Sequence, residues 1–564
     1  MNELSVRTCV STAGEFVYGI HKPDYTVVNL RAKNHITTLG HVNGKTAVEN
    51  KINFPANDVT IDNADWVFEI SNPFPFMGAT FILKSSADKK IEDANPFDII
   101  NKYKSSKLKA GINEFESNDP LTISLGRTST DANLLTKLAQ KTCLFEFDPH
   151  TGEPVGIQYE KTKNGRIRQA IKNHHLFEIV SNNPFLPDTY KQAMVLIPGI
   201  QGPNKIVGEY KKSAGTHIWE YLRENSYIPW GHYAANMAHD SIRYKIEALK
   251  KEDLIGLRHL YYQRVYTQVA QSLSISVPAK KRTLTEKELE SLRIHLLETI
   301  KHHEEDKINL PFNASMWGWN FGFDLSPSGY RLNASHQQIH QQFAIVPKYT
   351  QGFINGKNDE SHTLFPTYTQ GDEVARFCRR FRNSTGKFFF KTYINAIKNN
   401  KRMDGSKDKA KSLIFYRDEN IMAFVPKAQR SQGEVQIMTT AKCGNILETN
   451  STVRRSLDMA ILTTVRMLEK LGVEMMICYE TSRRFDNPDN DQRLMYTFIP
   501  RHPKSPGTYS QWLSRWIIGH YPEDFAYVCN KALRNVDEIT SPTMHHSFGP
   551  PLPNLKSRLK SQKY

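Results

Sequence analysis

The sequence predicts an α+β protein, with two halves of strands and helices and a β-rich N-terminal extension before them. Three observations predict this class. After about residue 141, strand-length apolar runs are followed by longer amphipathic stretches. The same order of elements recurs after residue 406. The first 140 residues instead hold short strand signals separated by turn residues.

The N-terminal extension, residues 1–140, is predicted to be β-rich, and its sequence indicates no role. Its candidate strands lie between turn signals, at Glu15–Ile20, Tyr25–Leu30, Trp66–Ile70 and Thr80–Leu83. One internal similarity is present, between Val67–Phe74 and Phe177–Phe185, which share an Asn-Pro-Phe or Asn-Asn-Pro-Phe ending. A duplicated β-unit and recurrent Asn-Pro turn chemistry both explain this similarity.

The remaining chain is divided into a first half at 141–405, a second half at 406–540 and a basic tail at 541–564. Apolar residues at helical spacing predict the helices of both halves. These helices are Lys251–Gln271, Thr285–His303, Phe388–Asn400 and Thr452–Leu471.

Composition fits a globular protein with a phosphate-rich partner. Of the 564 residues, 39% are apolar and 23% charged, and no apolar run is long enough to cross a membrane. The N-terminus lacks a signal-peptide pattern and the six cysteines show no metal-ligand spacing, so we expect a cytoplasmic protein without membrane contact. The net charge of +16 and the pI near 9.3 suit a polyanionic partner, such as a nucleotide, RNA or another phosphate-rich molecule. A nucleotide is the expected partner, and RNA is the less favoured one. The basic runs are Arg379–Arg382, Lys398–Arg402, Lys407–Lys411 and Lys556–Lys563.

The strongest chemical signal is a polar cluster, Ser335-His-Gln-Gln-Ile-His-Gln-Gln342, directly before the apolar run Phe343–Pro347. Asn320 and Gly322 lie upstream of it. Small residues let backbone N–H groups approach a phosphate, and amide side chains add neutral donors. An imidazole among them can attack phosphorus. Strand alternation does not distinguish His336 from His340, because the two positions have the same parity.

This cluster resembles the galactose-1-phosphate uridylyltransferase and nucleotide phosphorylase branch of the histidine-triad (HIT) superfamily, whose motif is Ser-x-x-His-x-His-x-Gln. The resemblance implies that His340 is the nucleophile that becomes nucleotidylated. It also implies that Gln342 binds the phosphate of the intermediate and that Ser335 assists. The first His of the motif, a zinc ligand in some members, is Gln338 here. A structural zinc is therefore not expected.

Further segments are similar to the family in the same order. Phe147–Val155 looks like its opening strand and turn. The resemblance implies two HIT-like halves, each an antiparallel sheet with helices on one face. It also implies a set of substrate-binding residues near the nucleophile. This set is Asn320, Gly322, Asn333, Gln338, Arg166, Arg168, Asn182, Asn183, Phe185 and His239.

Two departures from the family pattern restrict the chemistry. Met495–Pro500 lacks the two histidines that bind metal in some members, so no metal ligands are predicted there. Arg515–Tyr521 has Tyr521 where the family has the glutamate that contacts a hexose, so galactose-1-phosphate is not the expected substrate.

The resemblance implies a nucleotidyltransferase or nucleotide phosphorylase acting through a nucleotidyl-histidine on a nucleotide sugar or dinucleoside polyphosphate. The neutral Gln342 favours transfer or phosphorolysis over hydrolysis, because it supplies no acid or base for water. Mg²⁺ could assist with phosphate charge, and the family implies a homodimer. A non-catalytic or regulatory protein that binds nucleotide or RNA, and a function located in residues 1–140, are the alternatives. The base, the leaving group and the acceptor stay open.

Overall fold

The computed structural model describes residues 7–28, 36–42, 46–49, 57–62, 65–90, 120–161, 167–181, 183, 185–195, 251–277, 282–305, 310–322, 340–351, 353–354, 357–358, 364–473, 475–487, 491–500 and 508–540. Within these residues the strands are β1 (Gly19–His21), β2 (Tyr25–Val27), β3 (Thr38–Val42), β4 (Thr46–Glu49), β5 (Val59–Ile61), β6 (Val67–Ser71), β7 (Ala79–Leu83), β8 (Phe145–Phe147), β9 (Pro154–Ile157), β10 (Tyr159–Lys161), β11 (Ile167–Gln169), β12 (Ala314–Gly322), β13 (His340–Val346), β14 (Tyr349–Gln351), β15 (Phe353–Ile354), β16 (Lys357–Asn358), β17 (Leu364–Pro366), β18 (Ile414–Arg417), β19 (Ile421–Phe424), β20 (Val435–Thr439), β21 (Met475–Thr481), β22 (Met495–Pro500) and β23 (Arg515–Ile518).

The helices of the same residues are α1 (Lys84–Lys90), α2 (Pro120–Thr128), α3 (Ala132–Thr142), α4 (His174–Ser181), α5 (Asp188–Val195), α6 (Lys251–Ser272), α7 (Glu286–Glu305), α8 (Gln370–Thr385), α9 (Phe389–Lys398), α10 (Ser451–Lys470), α11 (Thr508–Leu513) and α12 (Pro522–Thr540). A short 3₁₀ helix, Pro75–Met77, precedes β7. This mixture of helices and antiparallel sheets is an α+β architecture. None of the described helices is long and apolar enough to cross a membrane.

Seven antiparallel strands from both predicted halves form one sheet. Their order is β13-β12-β21-β22-β20-β19-β18, and β12 of the first half pairs from Gly318 to Gly322 with β21 of the second. The prediction that each half forms its own sheet is therefore corrected. Sequence periodicity shows that a strand has a face to bury, but the pairing partner is chosen by backbone hydrogen bonds between distant segments.

Helices cover both faces of this sheet, which corrects the prediction of helices on one face. On one face α6, α10 and α12 pack with Ile421 and Ala423. On the other face α8 and α9 pack with Met422 and Phe424. Every residue of β19 and β20 is buried, and a strand without exposed positions is covered on both sides.

The N-terminal region belongs to the core of the second face. Strand β7 pairs in parallel with β23 near the other end of the chain, in the four-stranded sheet β1-β6-β7-β23. Phe68 and Phe74 lie in the same cluster as Phe389 of α9. Thr80 donates a 2.7 Å hydrogen bond to the carbonyl of Gln429. Residues 65–90 are thus packed against the second half, whereas 120–142 is helical and not β-rich.

Residues 120–195 have a hydrophobic cluster of their own. Helices α2 to α5 and strands β8 and β9 contribute to it, with Leu135, Ile157 and Leu176 completely buried. The second half of the internal similarity lies here, and Phe177–Ser181 is part of α4 although its counterpart Val67–Ser71 is a strand. A duplicated β-unit is therefore wrong, and shared turn chemistry remains as the explanation.

Candidate functional site

The strand register brings four of the predicted site residues together at one edge of the seven-stranded sheet. His340 begins the edge strand β13 and lies opposite Asn320 of β12. Gln342 lies opposite Gly318 on the same pair of strands, and Gly322 ends β12 two positions after Asn320. Directly opposed residues of antiparallel strands have Cα atoms about 5 Å apart and share one face of the sheet. The backbone therefore places positions 318, 320, 340 and 342 on one face.

The same face continues onto the next strand. Gly318 lies opposite Tyr479 of β21, and Tyr479 lies opposite Thr497 of β22. Thr497 in turn lies opposite Gln436 of β20. A single row of positions, 342-318-479-497-436, thus crosses five strands from the predicted site towards the middle of the sheet.

Tyr479 brings a cation into this row. Its hydroxyl accepts a hydrogen bond from Nη2 of Arg430, whose guanidinium also lies 5.6 Å from the Tyr479 ring centroid. Nη2 of Arg430 lies 3.1 Å from Oε1 of Glu434, a carboxylate that is completely buried. Gln436 donates a 3.1 Å hydrogen bond to the same oxygen. The cation is therefore held by one acid and one phenol, and the Gln436 amide holds the acid in turn.

Arg430 retains donor capacity. Its Nε has no hydrogen-bond partner among the described residues, although the side chain is only 12% exposed. Burial alone would lower the pKa of this guanidinium, but Tyr479 and Glu434 raise it overall, so Arg430 is a permanent cation. A buried donor without a partner carries a free-energy cost that an anionic ligand can offset.

Gly318 leaves the row without a side chain between positions 342 and 479. A Cβ at this position would lie 3.5 Å from the carbonyl oxygen of Cys478 and 4.0 Å from Cβ of Tyr479, which are ordinary contacts. Packing therefore does not require glycine here. What the missing side chain provides is room for a ligand on this face of the sheet, between positions 342 and 479.

The opposite face of the same strands is a packed polar and aromatic layer. Tyr261 of α6 stacks on Trp317 at 5.2 Å, and Trp317 stacks on Trp319 at 5.3 Å. Oη of Tyr261 lies 3.0 Å from Oε1 of Glu480 and 2.8 Å from Oγ of Ser315. Since a phenol has one hydrogen, Tyr261 donates to the carboxylate and accepts from Ser315.

Glu480 is the acid of this layer. Tyr496 donates a second hydrogen bond to it, at 2.8 Å. Burial raises the pKa of the Glu480 carboxyl to about 7, although both phenols lower it. Glu480 follows Tyr479 in β21, so the two side chains lie on opposite faces of the sheet. The carboxyl therefore supports the sheet from behind the candidate site.

Most of the other predicted site residues lie outside the described part of the chain. These are Ser335, Asn333, Gln338, Arg166, Asn182 and His239. The backbone of Arg168 is described in the two-stranded sheet β10-β11, opposite Glu160. Their assignments stay predictions.

Asn183 and Phe185 lie in the cluster of residues 120–195. Nδ2 of Asn183 donates to the carbonyls of Gly126 and Ser129, at 2.9 and 3.0 Å, and its Oδ1 accepts from the backbone N–H of Phe185 at 2.9 Å. Phe185 is partly buried against the same cluster. In this structure the Asn183 amide joins α2 to the turn before α5, and its role towards a nucleotide stays a prediction.

Sequence reasoning missed the Arg430, Glu434 and Tyr479 group. The one available signal was the polar pair Tyr479-Glu480 at the end of the apolar strand Met475–Cys478, where each residue faces a different side. Arg430 carries no signal of its own, because it lies in a loop and meets Tyr479 only through the fold. Among the described residues, no three His, Cys, Asp or Glu side chains meet in a way that could hold a metal ion.

Comparison with known proteins gives a distant structural likeness. No family model matches the chain, and no curated protein matches its sequence. A solved uridylyltransferase structure is 14% identical with a TM-score of 0.31, over 45% of this chain and 71% of that chain. An ADP-glucose phosphorylase from Arabidopsis thaliana with bound ADP-glucose is 11% identical with a TM-score of 0.29, over 44% of this chain and 68% of that chain. A likeness of this size establishes neither a shared family nor a shared activity.

Proposed function

We propose that this chain is a nucleotidyltransferase or nucleotide phosphorylase that forms a covalent nucleotidyl intermediate on His340. The observation that carries the proposal is the register of β12 and β13, which sets His340 against Asn320 and Gln342 against Gly318. The Ser-x-x-x-x-His-x-Gln frame that resembles the HIT superfamily selects the same histidine. The proposal includes the family's division into two HIT-like halves, now sharing one sheet.

In the first step an imidazole nitrogen of His340 attacks the α-phosphorus of a nucleotide donor. An N–P bond forms, and the bond from phosphorus to the bridging oxygen breaks. The leaving phosphate departs with that electron pair. In the second step an oxygen of phosphate or of a phosphorylated acceptor attacks the same phosphorus, and the N–P bond breaks to restore His340. The two steps need no oxidant, and His340 ends the cycle in the state in which it began.

The neighbouring groups would stabilise the negative charge that develops on the non-bridging oxygens. Gln342 and Asn320 supply neutral amide donors, and Gly318 and Gly322 allow close approach of the backbone. Arg430 would supply positive charge from the adjacent strands, since Gln342 and Tyr479 are separated by two strand spacings, about 10 Å.

The substrate class that we propose, on the family resemblance, is a nucleotide with a second phosphate beyond the reacting one, such as a nucleotide sugar or a dinucleoside polyphosphate. Gln342 is neutral and cannot activate water, so transfer to phosphate or to a sugar phosphate is favoured over hydrolysis. Ser335, Asn333, Gln338, Arg166, Arg168, Asn182 and His239 are proposed to complete the pocket, with Mg²⁺ as an optional partner of the phosphates.

The test is incubation of the purified chain with donors radiolabelled at the α-phosphorus, among them uridine and adenosine diphosphate sugars and diadenosine polyphosphates. We expect label on the denatured protein that is lost in acid and kept in alkali, as a phosphoramidate requires. Addition of unlabelled phosphate before denaturation should release it as nucleoside diphosphate. Saturable nucleotide binding without any label would instead support the non-catalytic alternative.

A further inference from the structure

The segment that runs from α8 to the loop after α9 is strongly basic. Between Arg376 and Lys411 the sequence has twelve Lys and Arg residues and two Asp residues. This segment of net charge +10 therefore supplies more than half of the chain's +16. The candidate site at His340 does not use it, so the charge needs its own explanation.

The basic residues of α8 lie on its solvent face. Arg376, Arg379 and Arg380 are exposed and follow the i, i+3, i+4 spacing of one helix face. The opposite face is buried in the core through Phe377 and Phe381. Arg376 forms an ion pair with Glu373 at 2.7 Å, but Arg379 and Arg380 form none within the described part of the chain.

Helix α9 repeats this arrangement. Lys391 and Lys398 are exposed, at i and i+7, whereas Phe389 and Tyr393 are buried in the core. Neither lysine has an ion-pair partner in the described segments. Each helix is at least ten residues long, or about 15 Å, so the basic surface is longer than one nucleotide.

An exposed aromatic side chain stands where the two helices meet. Phe388 is 38% exposed, and the guanidinium carbon of Arg382 lies 4.4 Å from its ring centroid. From 370 to 411, a stretch that the structure describes completely, Phe388 is the one large apolar side chain that is exposed. An aromatic ring with an arginine on it is a stacking platform for a base, and the surrounding cations suit a backbone of phosphates.

Hydrogen bonds fix the ends of both helices of the α8–α9 hairpin, so binding should cost little conformational entropy. A capping box between Thr369 and Asp372 starts α8, and Gly386 in the left-handed region ends it with a 2.8 Å bond to the carbonyl of Arg382. Asp491 accepts the backbone N–H of Phe390 at 3.1 Å and so fixes the start of α9. Preorganised surfaces bind with less loss of conformational entropy.

We propose that the exposed face of α8 and α9, defined by Arg379, Arg380, Arg382, Phe388, Lys391 and Lys398, binds single-stranded nucleic acid. The cations contact successive phosphates and Phe388 stacks on a base. An anionic membrane is the less suitable partner, because a membrane-binding helix presents a row of apolar residues to lipid and here those residues are in the core. The proposal stands independently of nucleotidyl transfer at His340.

The test is fluorescence anisotropy of the full chain with a labelled oligouridylate of roughly a dozen nucleotides, repeated over a range of salt concentrations. Arg379→Glu with Arg380→Glu should weaken binding about tenfold or more and reduce the salt slope by about 1.4, since each phosphate contact on a single strand contributes about 0.7. Arg417→Glu with Arg455→Glu is the matched control, because both residues are exposed on other elements and the charge change is equal. This control should retain most of the affinity.

Phe388→Ala should weaken binding about tenfold with an unchanged salt slope, because it removes stacking and not charge. Thermal melting checks that each variant folds. An oligothymidylate of equal length distinguishes DNA from RNA as the preferred strand. Equal losses in the double variant and its control would overturn the proposal, and so would tighter binding to phosphatidylserine vesicles than to either strand.

Discussion

His340 lies directly opposite Asn320, on the two strands at the edge of the seven-stranded sheet. One strand further, the same face of the sheet carries Tyr479, which holds Arg430 through its hydroxyl. The position of the proposed nucleophile, an amide position and the tyrosine that holds a cation therefore lie on one face of the sheet. Substitutions at Gly318 and Tyr479 therefore test whether this face of the sheet binds the nucleotide.

Filling the gap at Gly318 should impair ligand binding without harming the fold. We expect Gly318→Ala to weaken nucleotide binding about tenfold, because a methyl group would stand where the phosphate approaches the backbone. Its thermal midpoint should stay equal or rise, since the added Cβ makes ordinary contacts. Calorimetric titration with a nucleotide sugar measures the affinity.

Gly19→Ala is the matched control for that variant. Gly19 is also a strand glycine, and a Cβ there would lie 3.8 Å from the carbonyl of Glu69. It should leave affinity unchanged. If both variants bind nucleotide as the wild type does, the surface at Gly318 is not the phosphate site.

Removal of the Tyr479 hydroxyl should weaken the binding of phosphate-bearing ligands and leave that of unphosphorylated ligands unchanged. Tyr479→Phe keeps the ring but removes one of the two side-chain acceptors of Arg430, so Glu434 alone holds the guanidinium and its position is less well defined. We expect several-fold weaker binding of a nucleoside diphosphate, about 1 kcal/mol, and unchanged binding of the nucleoside alone. Equal weakening for both ligands would show that Arg430 does not contact phosphate.

Loss of one partner of the buried ion pair Lys427–Glu523 should destabilise the fold more than loss of both. Both side chains are fully buried and hydrogen-bonded to each other, and Nζ of Lys427 also donates to Oδ1 of Asn400 at 2.9 Å. Lys427→Met leaves the Glu523 carboxylate without a counter-ion, which should cost about 3–5 kcal/mol of stability.

Lys427→Met with Glu523→Gln removes both charges and should cost clearly less. Urea unfolding of the two variants compares them. A double variant less stable than the single one would contradict this explanation. The pair also fastens the N-terminal segment, since Lys427 Nζ lies 5.6 Å from the ring of Phe16 and 5.7 Å from that of Tyr18.

Glu480 should make stability depend on pH near neutrality. Its folded pKa of about 7 is above the ordinary value of 4.5, so the folded state holds a proton that the unfolded chain has released. Its contribution to stability is full below pH 4.5 and is lost as the pH rises towards and through 7. Relative to Glu480→Gln, the wild type should lose about 3 kcal/mol between pH 5 and pH 8.

Thermal melting at several pH values measures this difference. Glu419→Gln, at an exposed position, is the control and should follow the wild type at each pH. A constant difference between wild type and Glu480→Gln over the whole range would show that the carboxyl is ionised in the folded protein.

Local elements could be predicted from the sequence because their signals are local. The periodicity predicted helices at Lys251–Gln271 and Thr452–Leu471, and the structure has α6 and α10 within one residue of these limits. The polar cluster before Phe343 was predicted to lie beside a strand, and β13 begins at His340.

Pairing across the fold could not be predicted in this way. Nothing local shows that β12 pairs with β21, or that Arg430 reaches Tyr479 from another loop. Similar sequences also differ in secondary structure here, since Val67–Ser71 is a strand and Phe177–Ser181 is helical. Tertiary packing overrides local preference in such short segments.

The central claim is that His340 carries a nucleotide during turnover. The most direct measurement is intact-protein mass after incubation with the donor panel, for the wild type, His340→Ala and His336→Ala. We predict an acid-labile mass increase equal to one nucleoside monophosphate in the wild type and in His336→Ala, and none in His340→Ala. An adduct that persists in His340→Ala, or no adduct with any donor in a wild-type protein that binds nucleotide, would contradict the claim.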